Sequence, residues 1–330
     1  MRAIVVRAPG GPEVLEVSQV PDPVPGESDL LVRVRAAGLN RADLLQRLGR
    51  YPAPPGESSI LGLEVAGEVV HAGAATRGPS GGAFAPGDRV MALVGGGGYA
   101  ELARVPAAQA MPIPRGLDFA EAAAIPEAFL TSWLNLFLIG HLSAGEVAVV
   151  HAGASGVGSA ALQLCRGLCR AVIATASERK HEACRSFGAT HVLKREEVPA
   201  RLPHMVREAA GSNANLVFDL VGGAYLEANV AALAQDGRLV CISTLSGGKA
   251  TLDLGAVLYK RLSIIGSTLR SRSPVEKARL VADFTAKALP RFDTGELKPV
   301  LGATFPLANA AQAHERMEKD EVVGKLVLLV

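Results

Sequence analysis

Cysteine is scarce in this chain, and its charges nearly cancel. Only four cysteines occur in 330 residues, the first at Cys165. No two form a C-x-x-C pair, so we expect buried free thiols instead of metal or redox centres. The formal net charge of +2 gives no reason to expect a nucleic-acid or membrane-surface partner.

Signals for export or membrane insertion are missing as well. No apolar run is seen to approach the ~18 residues that a bilayer span needs. Residues 1–7 alternate like a strand, unlike a signal peptide. With 49% hydrophobic and 20% charged residues, the chain can bury a large core. We therefore expect a soluble cytoplasmic protein, and the length suggests roughly two domains.

Strand-like and helix-like patterns divide the chain. Residues 1–110 contain alternating apolar segments with glycine and proline corners, which predicts a small irregular β-barrel. Helical spacing begins near residue 118, and after residue 146 short apolar strands alternate with helices. That alternation is typical of an α/β fold with a parallel sheet.

A glycine-rich turn at residues 152–158 follows an apolar run at residues 147–151 and opens an Ala- and Leu-rich helix. Strand, tight turn and helix in this order form the entry unit of a dinucleotide-binding fold. The glycines allow the backbone to approach a pyrophosphate, and the helix N-terminus offers it free N–H groups. The residues predicted to bind the phosphates are Gly153, Ser155, Gly156, Val157 and Gly158.

The end of the next strand indicates which nucleotide is bound. NAD-specific proteins place an acidic residue there, about twenty residues past the turn, but this chain has small residues there. Ser177, Arg179 and Lys180 can bind a 2′-phosphate, and Lys194 can reach the same pocket. We therefore predict NADPH. Glu178 leaves NAD open, and Arg179 with Lys180 is also consistent with a solvated helix start.

Three motifs carry a family resemblance: residues 39–43 (LNRAD), 60–64 (ILGLE) and 151–158 (HAGASGVG). With them the chain resembles the zinc-free quinone oxidoreductases of the medium-chain dehydrogenase/reductase superfamily. Further matches resemble its tumour-suppressor-induced NADPH quinone reductase subgroup; they lie at residues 51–56, 124–128, 269–272 and 324–325.

The resemblance implies a domain organisation. A GroES-like irregular β-barrel catalytic domain is expected at residues 1–122, completed by residues 270–330. A Rossmann domain with a doubly wound parallel sheet is expected at residues 123–269. The family also implies a homodimer, joined by pairing of the last strands of that sheet, and a small-molecule acceptor.

The alcohol dehydrogenases of the superfamily have a Cys where Asn40 stands and a His where Leu63 stands. A leucine cannot bind zinc, and an amide is a poor ligand beside a thiolate. The four-cysteine structural zinc lobe is absent too, so no metal is expected. Zinc would polarise an alkoxide during alcohol oxidation. Without it, acceptors that take hydride readily are favoured, namely quinones and activated alkenes.

By resemblance, Asn40 and Tyr51 line the acceptor site, and Thr131 touches the nicotinamide. Tyr51 can stack on a flat acceptor, or it can simply pack on the proline-rich loop; Asn40 can equally be a turn former. Asp43 and Glu64 are interpreted as a structural charge pair behind the site. The remaining cofactor contacts are expected at two strand ends and in the returning C-terminal segment: Leu245, Leu269 and Lys325.

Three functions remain open at this point. The first is an NADPH-dependent quinone reductase, because an electron-poor quinone needs little acid help after hydride transfer. The second is an NADPH-dependent enoyl or alkenal double-bond reductase, which differs in needing a proton donor near the alkene. The third is a non-catalytic NADPH-binding protein. The first is favoured.

Overall fold

The computed structural model describes residues 1–330, which form two compact units. Unit 1 contains Met1–Leu130 and Leu269–Val330, and unit 2 contains Thr131–Thr268. The sequence placed the corresponding divisions after residues 122 and 269. Unit 1 is thus discontinuous, since its chain leaves to build unit 2 and then returns.

Fifteen strands and eleven α-helices make up the two units. The strands are β1 (Arg2–Val6), β2 (Leu15–Gln19), β3 (Asp29–Gly38), β4 (Glu64–Ala72), β5 (Arg89–Leu93), β6 (Leu102–Pro106), β7 (Ala110–Pro112), β8 (Val147–Val150), β9 (Ala171–Ala176), β10 (His191–Lys194), β11 (Ala214–Asp219), β12 (Leu233–Cys241), β13 (Ser263–Gly266), β14 (Leu301–Pro306) and β15 (Lys325–Leu329). The helices are α1 (Arg41–Arg47), α2 (Phe119–Ala122), α3 (Pro126–Trp133), α4 (Gly156–Cys165), α5 (His181–Phe187), α6 (Val198–Ala210), α7 (Leu226–Ala232), α8 (Leu254–Lys260), α9 (Pro274–Lys287), α10 (Pro290–Asp293) and α11 (Ala310–Glu318).

Unit 1 is built on a seven-stranded sheet in the order β14-β15-β3-β4-β5-β7, with β6 also paired to β3. Along β3, Leu30, Val32 and Val34 are buried while Arg33 and Arg35 are exposed. This alternation, which the sequence predicted, seats one face of the strand in the core. β15 pairs antiparallel with the end of β3, so a late segment of the chain completes the early sheet.

Unit 2 is a six-stranded sheet in the order β10-β9-β8-β11-β12-β13. Every neighbouring pair is parallel. Numbered within the unit, this is the order 3-2-1-4-5-6 of the doubly wound dinucleotide-binding fold. All four residues of β8 are buried, as expected for a central strand covered on both faces. The predicted α/β class, with a Rossmann-type sheet in one domain and a GroES-like fold in the other, is confirmed.

Several predicted elements differ from the structure. The segment after α3 is a π-helix, Leu134–Ile139, where an α-helix was expected to continue. The helix predicted at residues 178–187 starts as a 3₁₀ turn, Glu178–Lys180, before α5. α7 ends at Ala232 because Leu233 already pairs with Ala214 across the sheet. Helices α8 and α10 and the short β7 were not predicted, since each is too brief for periodicity to reveal.

One helical stretch, Phe119–Ile139, is 21 residues long and apolar enough to span a bilayer by length and composition. The expectation that no apolar segment approaches that length was therefore wrong. Some 78% of the apolar window is buried inside the protein, which is the usual state of a core helix.

Candidate active site

The glycine turn of unit 2 has the geometry of a phosphate-binding loop. Ser155 caps α4, and its Oγ accepts a hydrogen bond from the Gly158 N–H at 3.0 Å. A Cβ on Gly158 would lie 2.8 Å from the Gly153 Cα, and a Cβ on Gly153 would lie 2.9 Å from the Ala174 Cβ. Both glycines are therefore required by packing. The turn leads into a ten-residue helix, whose first N–H groups suit an anion.

A buried hydrogen-bond network fixes the strand ends behind this turn. The Nε2 of His151 lies 2.7 Å from the Asn229 Oδ1, and its Nδ1 lies 3.0 Å from the Thr175 Oγ1. Asn229 in turn donates to Asp219 at 3.1 Å. Burial lowers the pKa of His151 and so favours the neutral ring, although the Asp219 charge and the Asn229 hydrogen bond act in the opposite direction. The network joins β9, β11 and α7 to the start of the turn, a role that the sequence did not reveal.

The residues predicted to select the nucleotide lie just past β9. The Oγ of Ser177 is buried and has no hydrogen-bond partner, which leaves it available to a bound group. Arg179 is exposed, and Lys180 is only 6% exposed. Lys194 forms an ion pair with Glu178 at 2.8 Å, which partly neutralises the one acidic side chain in this region. The donor set fits a phosphate-bearing nucleotide.

In unit 1, Asn40 is held between two charged side chains. It precedes α1, and its backbone N–H donates to the Asp43 Oδ2 at 2.8 Å. Its side-chain Nδ2 donates to the Glu64 Oε1 at 2.9 Å, and its Oδ1 accepts from the Lys325 Nζ at 2.6 Å. The amide orientation is therefore set, and Asn40 is more than a turn former.

Lys325 and Glu64 form a buried ion pair. Their Nζ and Oε1 atoms are 2.5 Å apart, and the side chains are 5% and 0% exposed. The same Nζ donates to the backbone oxygen of Leu39 and to Asn40. These three acceptors match the three N–H donors of an ammonium. Contact between Lys325 and the cofactor, as predicted, would require one of these bonds to break.

Asp43 forms no pair with Glu64, so the interpreted charge pair was wrong; the two carboxylates are bridged only by Asn40, which donates to each of them. The Asp43 carboxylate accepts from the Gly62 N–H at 3.0 Å and the Tyr99 hydroxyl at 3.3 Å. The Tyr99 hydroxyl also lies 3.3 Å from the His314 Nε2. Burial raises the pKa of Asp43 to about 6 and lowers that of His314 to about 3. Two carboxylates repel each other, and here each is stabilised by hydrogen-bond donors, with Asn40 donating to both.

Tyr51 is half-buried beside a buried arginine. The Arg270 guanidinium lies 5.4 Å from the Tyr51 ring centroid. It is fixed by the Gly95 carbonyl at 2.9 Å and the Gln46 Oε1 at 2.8 Å. The Tyr51 hydroxyl makes no hydrogen bond within the chain, and burial raises its pKa. The ring is thus braced on one side while its hydroxyl is free to meet a ligand.

The other predicted contacts are spread over both units. Thr131 opens unit 2 and is nearly buried, and its backbone oxygen accepts from the Asn135 Nδ2 at 2.8 Å. Leu245 is exposed in the loop after β12, whereas Leu269 is buried where the chain returns to unit 1. Their contact with a cofactor remains a prediction.

Comparison with known proteins identifies the family. Residues 26–115 match the alcohol dehydrogenase GroES-like domain, and residues 156–286 match the family described as zinc-binding dehydrogenase. A quinone oxidoreductase from Lama guanicoe is 31% identical over 333 residues, covering 100% of this chain and 98% of the relative. This chain belongs to the quinone oxidoreductase family of the medium-chain dehydrogenase/reductase superfamily.

Solved structures agree with this family. A mycobacterial protein complexed with NADPH is 29% identical, with a TM-score of 0.88 and full coverage of both chains. A structure described as an NAD-dependent alcohol dehydrogenase is 35% identical, with a TM-score of 0.85 and full coverage of both chains. This quinone oxidoreductase family member is accordingly an oxidoreductase that uses a nicotinamide nucleotide.

The family that residues 156–286 match is described as zinc-binding dehydrogenase, but the side chains of this chain do not fit zinc. No group of three or more His, Cys, Asp or Glu side chains is placed to hold a metal ion. At the two positions compared with the alcohol dehydrogenases, Asn40 uses its amide on Glu64 and Lys325, and Leu63 is 1% exposed. Oxygen from one amide and a hydrocarbon are not a zinc site.

Sequence reasoning missed Arg270 and Glu127, whose charges act on Tyr51, and Lys277, whose charge acts on Glu127. Glu127 and Arg270 were noted only as letters in matching motifs, and Lys277 was not noted at all. The sequence did offer one indication of them, since each is a charged residue within an otherwise apolar or helical segment. What the sequence could not show is that residues 127 and 277 come together in one unit.

Proposed function

We propose that this protein is an NADPH-dependent quinone reductase that works without zinc. The observation that carries the proposal is the Lys325 ammonium bonded to Glu64 and to Asn40, the residue that stands where the alcohol dehydrogenases have a metal-binding Cys. With no Lewis acid to polarise an alkoxide, the favoured substrate is an acceptor that takes hydride unaided. Bound NADPH would supply that hydride.

The protein's part in this reaction is to bind and orient. Tyr51, braced by Arg270, offers an aromatic face to a flat ring and a hydroxyl to its oxygen. Both polar atoms of the Asn40 side-chain amide are hydrogen-bonded, so this side chain forms a fixed surface of the proposed acceptor site. Positioning of this kind is the main contribution that a hydride transfer asks of the protein.

Steady-state kinetics tests the proposal directly. NADPH oxidation should be faster with a benzoquinone or naphthoquinone than with an enone, and should survive dialysis against a chelator, with no zinc found by elemental analysis. Turnover of the enone alone would favour the alkenal reductase. NADPH binding without oxidation by any electrophile would favour a non-catalytic protein.

The choice of NADPH over NADH is supported by Ser177 and Arg179. The buried, unpartnered Ser177 Oγ suits a phosphate oxygen, and an arginine can bind a phosphate with two parallel bonds. Arg179→Ala should weaken NADPH by ~1–3 kcal/mol and NADH much less, as measured by calorimetry. Equal weakening of both nucleotides would refute this assignment, and the exposed Arg201→Ala serves as the control.

We also propose a homodimer formed through the free edge of β13. That strand is the last of its sheet, and the neighbouring α8 exposes Leu254, Leu258 and Tyr259, the last of them 83% exposed. An uncovered strand edge beside an apolar surface is a natural pairing site. Light scattering should give a dimer, and Leu258→Glu with Tyr259→Glu should give a monomer.

A further inference from the structure

Glu127 lies near the proposed acceptor site, and its carboxyl has no partner within the chain. It follows Pro126 in the first turn of α3, and its backbone N–H donates to the Glu64 Oε2 at 2.8 Å. The residue is partly exposed, and its carboxyl makes no hydrogen bond or ion pair within the chain. The same Glu64 carboxylate accepts a hydrogen bond from the Asn40 Nδ2 at 2.9 Å, which joins Glu127 to the proposed acceptor site. Burial is the main cause that raises the pKa of the Tyr51 phenol, and the charge of Glu127 adds to it.

Charged groups of both signs surround this carboxyl. Glu64 and Asp43 disfavour its ionised form, while Lys325 and Lys277 favour it. Arg270 is within electrostatic reach as well. Burial is the largest effect, and the balance raises the pKa of Glu127 to about 8.

Lys277 is the unusual member of this group. It lies in the first turn of α9 and is 4% exposed. Its backbone N–H donates to the Ser273 carbonyl at 3.0 Å, but its ammonium makes no hydrogen bond or ion pair within the chain. Glu57 and Glu127 are the acids that act on it, and burial lowers its pKa. An ammonium on a largely buried side chain favours a nearby negative charge, and a carboxylate formed on Glu127 would supply it.

We propose that Glu127 is the proton donor to the reduced acceptor and that Lys277 stabilises the carboxylate left behind. The proposal rests on the proposed reductase function and extends its acceptors to α,β-unsaturated carbonyl compounds. An enone gains hydride from the reduced nicotinamide at its β-carbon, and its C=C electron pair moves to form an enolate. The Glu127 O–H then breaks as a bond forms between that proton and the α-carbon. Solvent restores the proton to Glu127.

Comparison of two acceptors separates this role from a structural one. A quinone leaves a weakly basic hydroquinone anion that water can protonate, whereas an enolate needs a positioned acid. Glu127→Gln should therefore lower kcat for an enone by about 10²–10⁴-fold, with KM little changed. Turnover of a benzoquinone should fall by less than about 10-fold. The exposed Glu315→Gln is the matched control.

Three outcomes of this kinetic comparison overturn the proposal. An equal loss with both acceptors means that Glu127 only supports the fold, and an unchanged enone rate means that it donates no proton. Both leave the quinone reductase function standing. A wild-type protein that turns over neither acceptor overturns the proposed function together with this inference.

Two readouts test the roles further, one of them independent of turnover. Infrared difference spectra of the protein without cofactor, between about pH 6 and about pH 10, should show a protonated carboxyl that Glu127→Gln removes; its absence refutes the proposal. In enone turnover, Lys277→Met should shift the alkaline limb to higher pH and lower the neutral rate, with Lys277→Arg restoring both. A profile unaffected by Lys277→Met refutes the role of the lysine.

Discussion

Replacing Lys325 by Met tests whether an ammonium holds the centre of unit 1 together. The change removes the positive partner of Glu64, a carboxylate that is 0% exposed. It also leaves the Leu39 carbonyl and the Asn40 Oδ1 without their donor. Breaking a buried ion pair by removing one partner costs about 3–5 kcal/mol. Because two further acceptors lose their bond, we expect a loss of about 4–5 kcal/mol in the free energy of unfolding.

Urea denaturation followed by circular dichroism gives this free energy. The double variant Lys325→Met with Glu64→Gln should recover at least about half of the loss, since a neutral amide needs no counter-charge. Arg35→Met is the matched control: it breaks an exposed pair with Glu68 in the same sheet. That loss should stay below about 1 kcal/mol. A Lys325→Met variant no weaker than the control would refute the reasoning.

Two further predictions concern pH and the glycine turn. The pKa of Glu127 in the folded state is raised from 4.5 to about 8. Between these values the folded protein keeps the Glu127 proton while the unfolded chain loses it, so the free energy of unfolding decreases as the pH rises through that interval. The Tm of Glu127→Gln relative to wild type should therefore climb by at least about 3 °C between the acidic and alkaline ends of the interval, as measured by calorimetry; a constant difference contradicts the shift. Gly158→Ala places a Cβ 2.8 Å from the Gly153 Cα, so NADPH affinity should fall at least about 10-fold, the equivalent of ~1.4 kcal/mol, in a fluorescence titration, and unchanged affinity would show that the loop relaxes freely.

The parts of the fold that sequence predicted well are those with local causes. β8, the glycine turn and α4 follow one another within twenty residues, and each carries its own signal in side-chain type and spacing. The same holds for β3, where buried and exposed residues alternate. α8 was missed although Leu254 and Leu258 stand one helical turn apart, because a seven-residue helix is too short for that spacing to be distinctive.

The candidate site was predictable only where a motif marked it. Asn40 and Tyr51 were found through motifs, but the partners of Asn40 come from β4 and β15. Glu127 and Lys277 drew no attention because charge at a position says nothing of burial there. Desolvation and the absence of a partner are properties of the folded chain, and they are what distinguishes these two residues from the many charged groups on the surface.

The discontinuity of unit 1 has a consequence for how the protein is made. Lys325 bonds Leu39 across 286 residues of chain, and β15 covers the end of β3. At about 5–20 residues per second, the ribosome needs roughly 15–60 s to deliver β15 after β3 has emerged. Throughout that time Glu64 lacks its counter-ion and part of β3 is an open strand edge, a known route to aggregation. Nascent chains should therefore depend on chaperone protection until residue 325 has been translated.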